Sequence, residues 1–286
     1  MTVSPASTLS AQTLIDALRL PEGCRVDQRV PKKLLLENGA PTAADKRLIT
    51  EAIEEIQWVA VLKPNTIGVP DYRDTLREYL EIAVLAVTVR GVVKPASHSR
   101  LAALVHRAVP YPVLLLLATP QTAGQSLTLS LAHKRWAQNE AAKVVLDGSP
   151  ISVTVSVTVS APLSEVNAAD ASHPDPAEAA QAESAFIQSL SVTRQPQVTL
   201  HALYQGWVDC VQALLAARLT GSYQTPTTPE QAAKRRQALA DCERLEAEVS
   251  RLRAQALREK QLARQVELNL TLKRVQAELA AARRQL

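Results

Sequence analysis

Two short cationic runs are the residues of this chain best equipped for chemistry. Arg25, Arg29, Lys32 and Lys33 lie in one loop-like stretch, and His133, Lys134, Arg135 and Trp136 follow an apolar strand. Cations beside an aromatic ring suit phosphate contact and base stacking. The plainer reading makes Trp136 a core residue and leaves the cations in solvent. The two readings come level only if the fold brings both runs together. A third group, Asp71, Asp74, Glu78 and Glu81, could serve a metal-dependent nuclease, with Asp71, Asp74 and Glu78 on one face of a short helix. Such enzymes hold carboxylates and a lysine on a central sheet. The spacing Asp…Glu-x-Lys is missing: Glu140 and Lys143 are three apart, and Asp147 follows rather than precedes them.

Other chemistries find less. His98, His106, His133, His173 and His201 include no pair at metal-ligand spacing. Cys24, Cys210 and Cys242 are scattered, with no C-x-x-C pair, so neither a zinc site nor a disulfide frame is expected. No nucleophile elbow, Walker A loop or G-x-G-x-x-G is present. The expectation is a non-catalytic chain with no cofactor and no metal.

The elements that would position these residues read as a mixed α/β body. Leu14 to Leu20 is a short helix before Pro21, and the cationic stretch 24–41 reads as a loop. Thr42 N-caps a helix running to about Ala60, with Asp45 near its positive end, although Trp58 to Leu62 could equally begin a strand. Leu80 to Arg90 is a continuous apolar run, as in a strand covered on both faces. Ser97 caps a helix to Arg107, and Val113 to Leu117 is a second buried strand. Ser126 to Leu131 alternates Ser/Thr with Leu and reads as half-exposed. Val144–Leu146 and Ile151–Val159 flank Asp147-Gly148 as a hairpin. Residues 160–183, rich in Ala, Pro, Ser and Asp, read as an exposed loop. Leu200 to Leu219 is an apolar helix expected to dock on the sheet, with Gly221 just past its end.

These assignments divide the chain into a body over 1–222, a hinge over 223–229 (rich in Thr and Pro) and a helical segment over 230–286. That last segment has no aromatic, Gly or Pro and would make a helix of about 85 Å. Leu245, Val249 and Leu252 space as a coiled-coil seam, and so do Leu268, Leu272, Val275 and Leu279. The two phases do not join, so a register break or a turn must separate them. The segment either dimerises through this seam, the favoured outcome, or folds back as a hairpin. Val266, Leu268, Leu270 and Leu272 also alternate, and so broad an apolar face predicts contact with more than one surface.

Composition sets the frame. The 286 residues are 47% hydrophobic and 21% charged, which excludes wholesale disorder. Nine aromatics leave the core to Leu, Val, Ile and Ala. The formal charge of +4 resides after Pro229, where the net is +5 against −1 before it. Such a tail could bind nucleic acid or an acidic partner, but its interleaved signs favour a solvated helix with i,i+4 pairs. No secretory signal and no membrane span is expected, and a cytoplasmic location is the simplest reading.

Several strings belong together: RVPKKLLLENGAPTAADKRLI, VHRAVPYPVLLLL, LSLAHKRW, LYQGWVDCVQALLAARLTG and EKQLARQVELNLTLKRVQAEL. They resemble a bacterial domain-of-unknown-function family over about Leu14 to Leu286. Members are often encoded beside SNF2-type helicases and type III-like DNA adenine methyltransferases. The resemblance implies a role in restriction–modification or phage defence and carries no catalytic residue. The leading expectation is therefore an accessory subunit that docks on a helicase or methyltransferase and self-associates through its C-terminal helix. The alternatives are a nucleic-acid-binding protein using 25–33 and 133–136, and a divergent metal-dependent nuclease.

Overall fold

The computed structural model describes residues 11–91, 93–121, 124–140, 143–156 and 175–286. The chain divides into two compact units, one formed by 1–166 with 186–211 and the other by 167–185 with 212–286.

The first unit opens with α1 (Ala11–Ala17) and β1 (Arg25–Arg29). Then come α2 (Lys32–Asn38), α3 (Ala43–Ala52), β2 (Ile53–Leu62) and a short turn of helix, α4 (Pro64–Ile67). A small hairpin, β3 (Tyr72–Arg73) and β4 (Glu78–Tyr79), leads to β5 (Ile82–Val89). Next are α5 (Pro95–Ala108), β6 (Val113–Gln121) and β7 (Gly124–Leu131). A second small pair, β8 (Lys134–Trp136) and β9 (Val144–Leu146), precedes β10 (Ile151–Ser156). Six strands form the main sheet in the order β1-β2-β5-β6-β7-β10. Every neighbouring pair is antiparallel except β5–β6, which is parallel and therefore needs the crossover that α5 supplies.

The central strands explain the continuous apolar runs. Ala83, Leu85, Val87 and Val89 of β5 and Val113, Leu115 and Leu117 of β6 pack under Leu35, Ile49, Leu101, Leu104 and Val105 from α2, α3 and α5. The alternate residues Val84, Leu114 and Leu116 point to the other face and are buried as well, so the sheet is covered on both sides. Tyr204, on α7 (Leu200–Thr220), fixes one side of this packing. Its hydroxyl donates to the Val113 carbonyl (2.7 Å) and accepts from the Ala132 N–H (2.8 Å). The expected helix is present, with Gly221 left-handed (φ 79°) directly after it.

Several expectations are corrected. The stretch 24–41 is not a loop: it holds β1 and α2. The helix from Ala43 stops at Ala52, because Ile53, Ile56 and the residues after them pair with β5 and bury their side chains in the sheet. Lys94 and Pro95, not Ser97, open α5. Residues 71–79 are a β-hairpin, so Asp71, Asp74 and Glu78 do not share a helical face. β7 is not half-exposed, since Ser126, Thr128 and Ser130 are buried. β9 and β10 do not pair with each other: β9 joins β8 and β10 joins β7, while 157–159 of the expected strand lie outside the described residues. Part of the expected loop over 160–183 lies outside the described residues, and from Pro176 the chain is helical, α6 (Pro176–Ser189).

In the second unit, Thr228 caps α8 (Pro229–Arg258), its hydroxyl accepting from Gln231 N–H at 3.3 Å. The chain turns at 259–261 into α9 (Leu262–Arg283). Arg283 reaches Glu246 (2.9 Å) and Gln265 donates to the Ala256 carbonyl (3.3 Å), which makes the pair antiparallel. The break between the two seam phases is therefore a turn. Leu245, Val249, Leu252, Val275 and Leu279 are buried against one another, and Leu268 and Leu272 are packed beside them. The seam expected to join two chains is consumed within one hairpin.

Candidate functional site

Residues 132–136 form an elbow where β7 leaves the main sheet and β8 begins. Its first cation is not a surface group. Lys134 is buried, and its ammonium donates to the carbonyls of His106 (2.6 Å) and Val109 at the end of α5. A cation on the last carbonyls of a helix satisfies acceptors that the helix leaves open. Burial lowers this ammonium to about 7.

His133 is equally committed. Its Nδ1 lies 2.6 Å from the Tyr79 hydroxyl and its Nε2 lies 2.9 Å from Gln205 Oε1, while the Gln205 amide donates to Asp209 (2.8 Å). Tyr79 therefore donates to Nδ1, and Nε2–H donates to Gln205, which fixes a neutral tautomer. Burial, then the neighbouring His201, lowers His133 to about 4. His201 stacks on Tyr72 (4.8 Å between centroids) and meets Tyr79 edge-on (4.9 Å). This aromatic cluster buttresses the elbow from the α7 side.

Arg135 and Trp136 remain at the surface. Arg135 lies 3.7 Å from Asp147, which Arg77 also holds at 2.5 Å, and it donates to the Trp136 carbonyl (3.1 Å). Trp136 is half-buried and lines a hollow of about 240 Å³ with Arg135, Tyr111, Pro110 and Pro112. On another side of Lys134 lies a cleft of about 790 Å³, bounded by the end of α2, by α5 and by 143–150. Of the cations that line it, Lys134 is spent on the carbonyls at the end of α5 and Lys143 pairs with Glu140 (2.8 Å).

The other cationic run lies elsewhere. Arg25 and Arg29 are on β1, the edge strand four places from β7 in the sheet, about 19 Å at ordinary strand spacing. Arg29 pairs with Glu55 (3.4 Å), Lys33 with Glu37 (3.6 Å), and Lys32 donates to the Ile53 carbonyl. Burial, then Arg90 and Arg29, lowers the Lys32 ammonium. The fold does not bring β1 to the elbow.

The carboxylates are engaged too. Asp74 closes the β3–β4 turn by accepting from the Leu76 and Arg77 N–H groups, Arg73 pairs with Glu78 (3.0 Å), and Lys63 pairs with Glu81 (3.0 Å). Among the described residues no three His, Cys, Asp or Glu side chains lie close enough to hold a metal ion.

The hairpin carries a feature of a different kind. Leu262 (76% exposed), Val266 (51%) and Leu270 (64%) recur every four residues along α9, with Leu257 (87%) just before the turn. At helical spacing Leu262, Val266 and Leu270 lie opposite the side of α9 that α8 covers.

The sequence matches the family described as Domain of unknown function (DUF4391) over residues 18–279. The chain belongs to this family. No curated protein and no solved structure matches it. The DUF4391 match takes in the elbow, the cationic run on β1 and almost all of the hairpin, and the family's description names no activity. Within this DUF4391 chain no described helix is long and apolar enough to cross a membrane. Sequence reasoning missed Tyr111 as a wall of the hollow, although the flanking Pro110 and Pro112 mark it as a rigid surface turn. It also missed Leu262, whose four-residue spacing from Val266 was the available signal.

Proposed function

We propose that this DUF4391 chain is a non-catalytic assembly subunit that docks its partner on the outer face of the α8–α9 hairpin. One observation carries the reading. Four large apolar side chains stand exposed on a hairpin whose own interface is already filled. Three of them, Leu262, Val266 and Leu270, recur every four residues on one side of α9, and contiguous exposed apolar surface of this kind marks interaction sites. The partner class follows from the family resemblance: a helicase or DNA methyltransferase of a restriction–modification or phage-defence system, with self-association through the same face as the simpler case.

The accessory role fits the site chemistry. The histidine and lysine of the elbow serve its architecture, and the acidic group serves turns and ion pairs. The test is co-purification with candidate helicase and methyltransferase partners, using Leu262→Glu, Val266→Glu and Leu270→Glu together. The expected result is a stoichiometric complex that the triple variant loses while its helical content is kept. A complex that survives all three charges would refute docking on this face.

A further inference from the structure

The hollow beside the elbow has no part in the assembly reading. Its lining combines the rings of Tyr111, which is 37% exposed, Trp136, Pro110 and Pro112 with the aliphatic Leu80 and Val144. Its edges carry unspent donors. The Trp58 indole N–H donates to the Ala60 carbonyl (3.1 Å), and that of Trp207 to the Leu190 carbonyl (2.9 Å). The hydroxyls of Tyr72, Tyr79 and Tyr204 are likewise engaged. The indole N–H of Trp136 and the hydroxyl of Tyr111 have no hydrogen-bond partner among the described residues.

We propose that this hollow seats an unpaired nucleobase of single-stranded nucleic acid. A base needs apolar planes for its faces and donors for its edges, and Tyr111 and Trp136, which line the same hollow, supply both kinds of group. At about 240 Å³ the hollow falls below the usual range for drug-sized ligands, roughly 300–1,000 Å³. Arg135 is held in place at its rim by Asp147 and the Trp136 carbonyl. Glu78 is on the wall, but its carboxylate is taken by Arg73 (3.0 Å). Paired bases in a duplex keep their faces stacked and cannot enter. A proline-rich peptide also favours aromatic walls, but it needs a groove that continues over several residues. Because Lys134 spends its charge on carbonyls, binding here draws little on phosphate attraction. It should depend on salt far less than binding through a cationic surface would.

The experiment measures anisotropy of labelled oligo-dT and oligo-dA with the full chain, beside the matching duplex and a proline-rich peptide. The expected result is binding of single strands but not duplex, quenching of tryptophan emission, and a shallow salt dependence. Tyr111→Ala and Trp136→Ala should each weaken binding between about 5-fold and about 150-fold, and Trp136→Phe should lose less than Trp136→Ala. Tyr111 is at the surface, so its variant stays informative if removal of Trp136 disturbs the fold. Three results would overturn the proposal: no single-strand binding, equal binding of duplex, or affinity indifferent to Tyr111→Ala. Quenching by the peptide alone would overturn it as well and reassign the hollow to peptide recognition.

Discussion

His106 sits fully buried on α5 with its Nε2 3.0 Å from the Ser130 hydroxyl, and Ser152 donates to that same hydroxyl at 2.8 Å. Burial, then the nearby Lys134, lowers this histidine from 6.5 to about 3. The folded state therefore holds it neutral, while the unfolded chain takes up its proton near pH 6.5. Its contribution is complete above pH 6.5 and is lost as pH falls toward 3. His133, at about 4, acts in the same direction over a narrower window. Urea unfolding followed against pH should show stability declining below pH 6.5, and His106→Gln should remove about one proton from that slope. An unchanged slope would contradict the assignment. Lys134 acts at the other end. With its ammonium lowered from 10.5 to about 7, the unfolded chain binds the proton more tightly, so stability rises as pH goes from 7 to 10.5. Lys134→Met should flatten that rise. The partners of the β7 hydroxyls also explain why β7 misled the sequence reading. Ser and Thr alternating with Leu mark a half-exposed strand only if nothing buried answers the hydroxyls. Here His106 on α5 meets Ser130, and Thr154 on β10 meets Thr128 (2.8 Å). Partners that far apart in sequence leave no local signature.

At the scale of elements, Gly39 shows how tightly α2 and α5 approach. A Cβ there would lie 2.6 Å from the Leu104 carbonyl oxygen and 2.8 Å from Ala108 Cβ, so one helix would have to move. Gly39→Ala should cost about 1–3 kcal/mol in denaturant unfolding, and a neutral result would mean that the two helices are not packed this closely. The hairpin interface makes a parallel prediction. Leu252→Ala or Leu279→Ala should cost about 2–5 kcal/mol if α8 and α9 pack against each other. Loss of chain assembly with little change in hairpin stability would instead place the seam between molecules. Central strands and the long apolar helix were legible because burial on both faces leaves a continuous apolar run and burial on one face of a helix leaves a 3.6-residue repeat. The hairpin was legible only as a break in phase: spacing tells that two seams cannot be continuous, not whether the second belongs to the same molecule. The boundary at Ala52 was hidden for a related reason. Ile53, Ile56 and Val59 continue the helical spacing, and only the pairing of Ile53 and Ile56 with β5 reveals that the strand already begins there.

For the whole molecule, the sequence localised the cations but not their employment. Three of the eight candidate residues turn out to be committed inward: Lys134 to the end of α5, His133 to Tyr79 and Gln205, and Lys32 to the Ile53 carbonyl. Burial of a cation depends on which carbonyls the fold places beside it, and that is a property of topology. The apolar excess on α9 was visible from the start as a face too broad for one neighbour, and it is the surface on which the functional proposal rests. The measurement that tests the proposal most directly is the mass of the full chain by light scattering, alone and co-expressed with the helicase and methyltransferase. The account predicts a defined assembly, either with one of those partners or between copies of the chain, that reverts to monomer when Leu262, Val266 and Leu270 are all changed to Glu. A chain that stays monomeric and joins neither partner would contradict it.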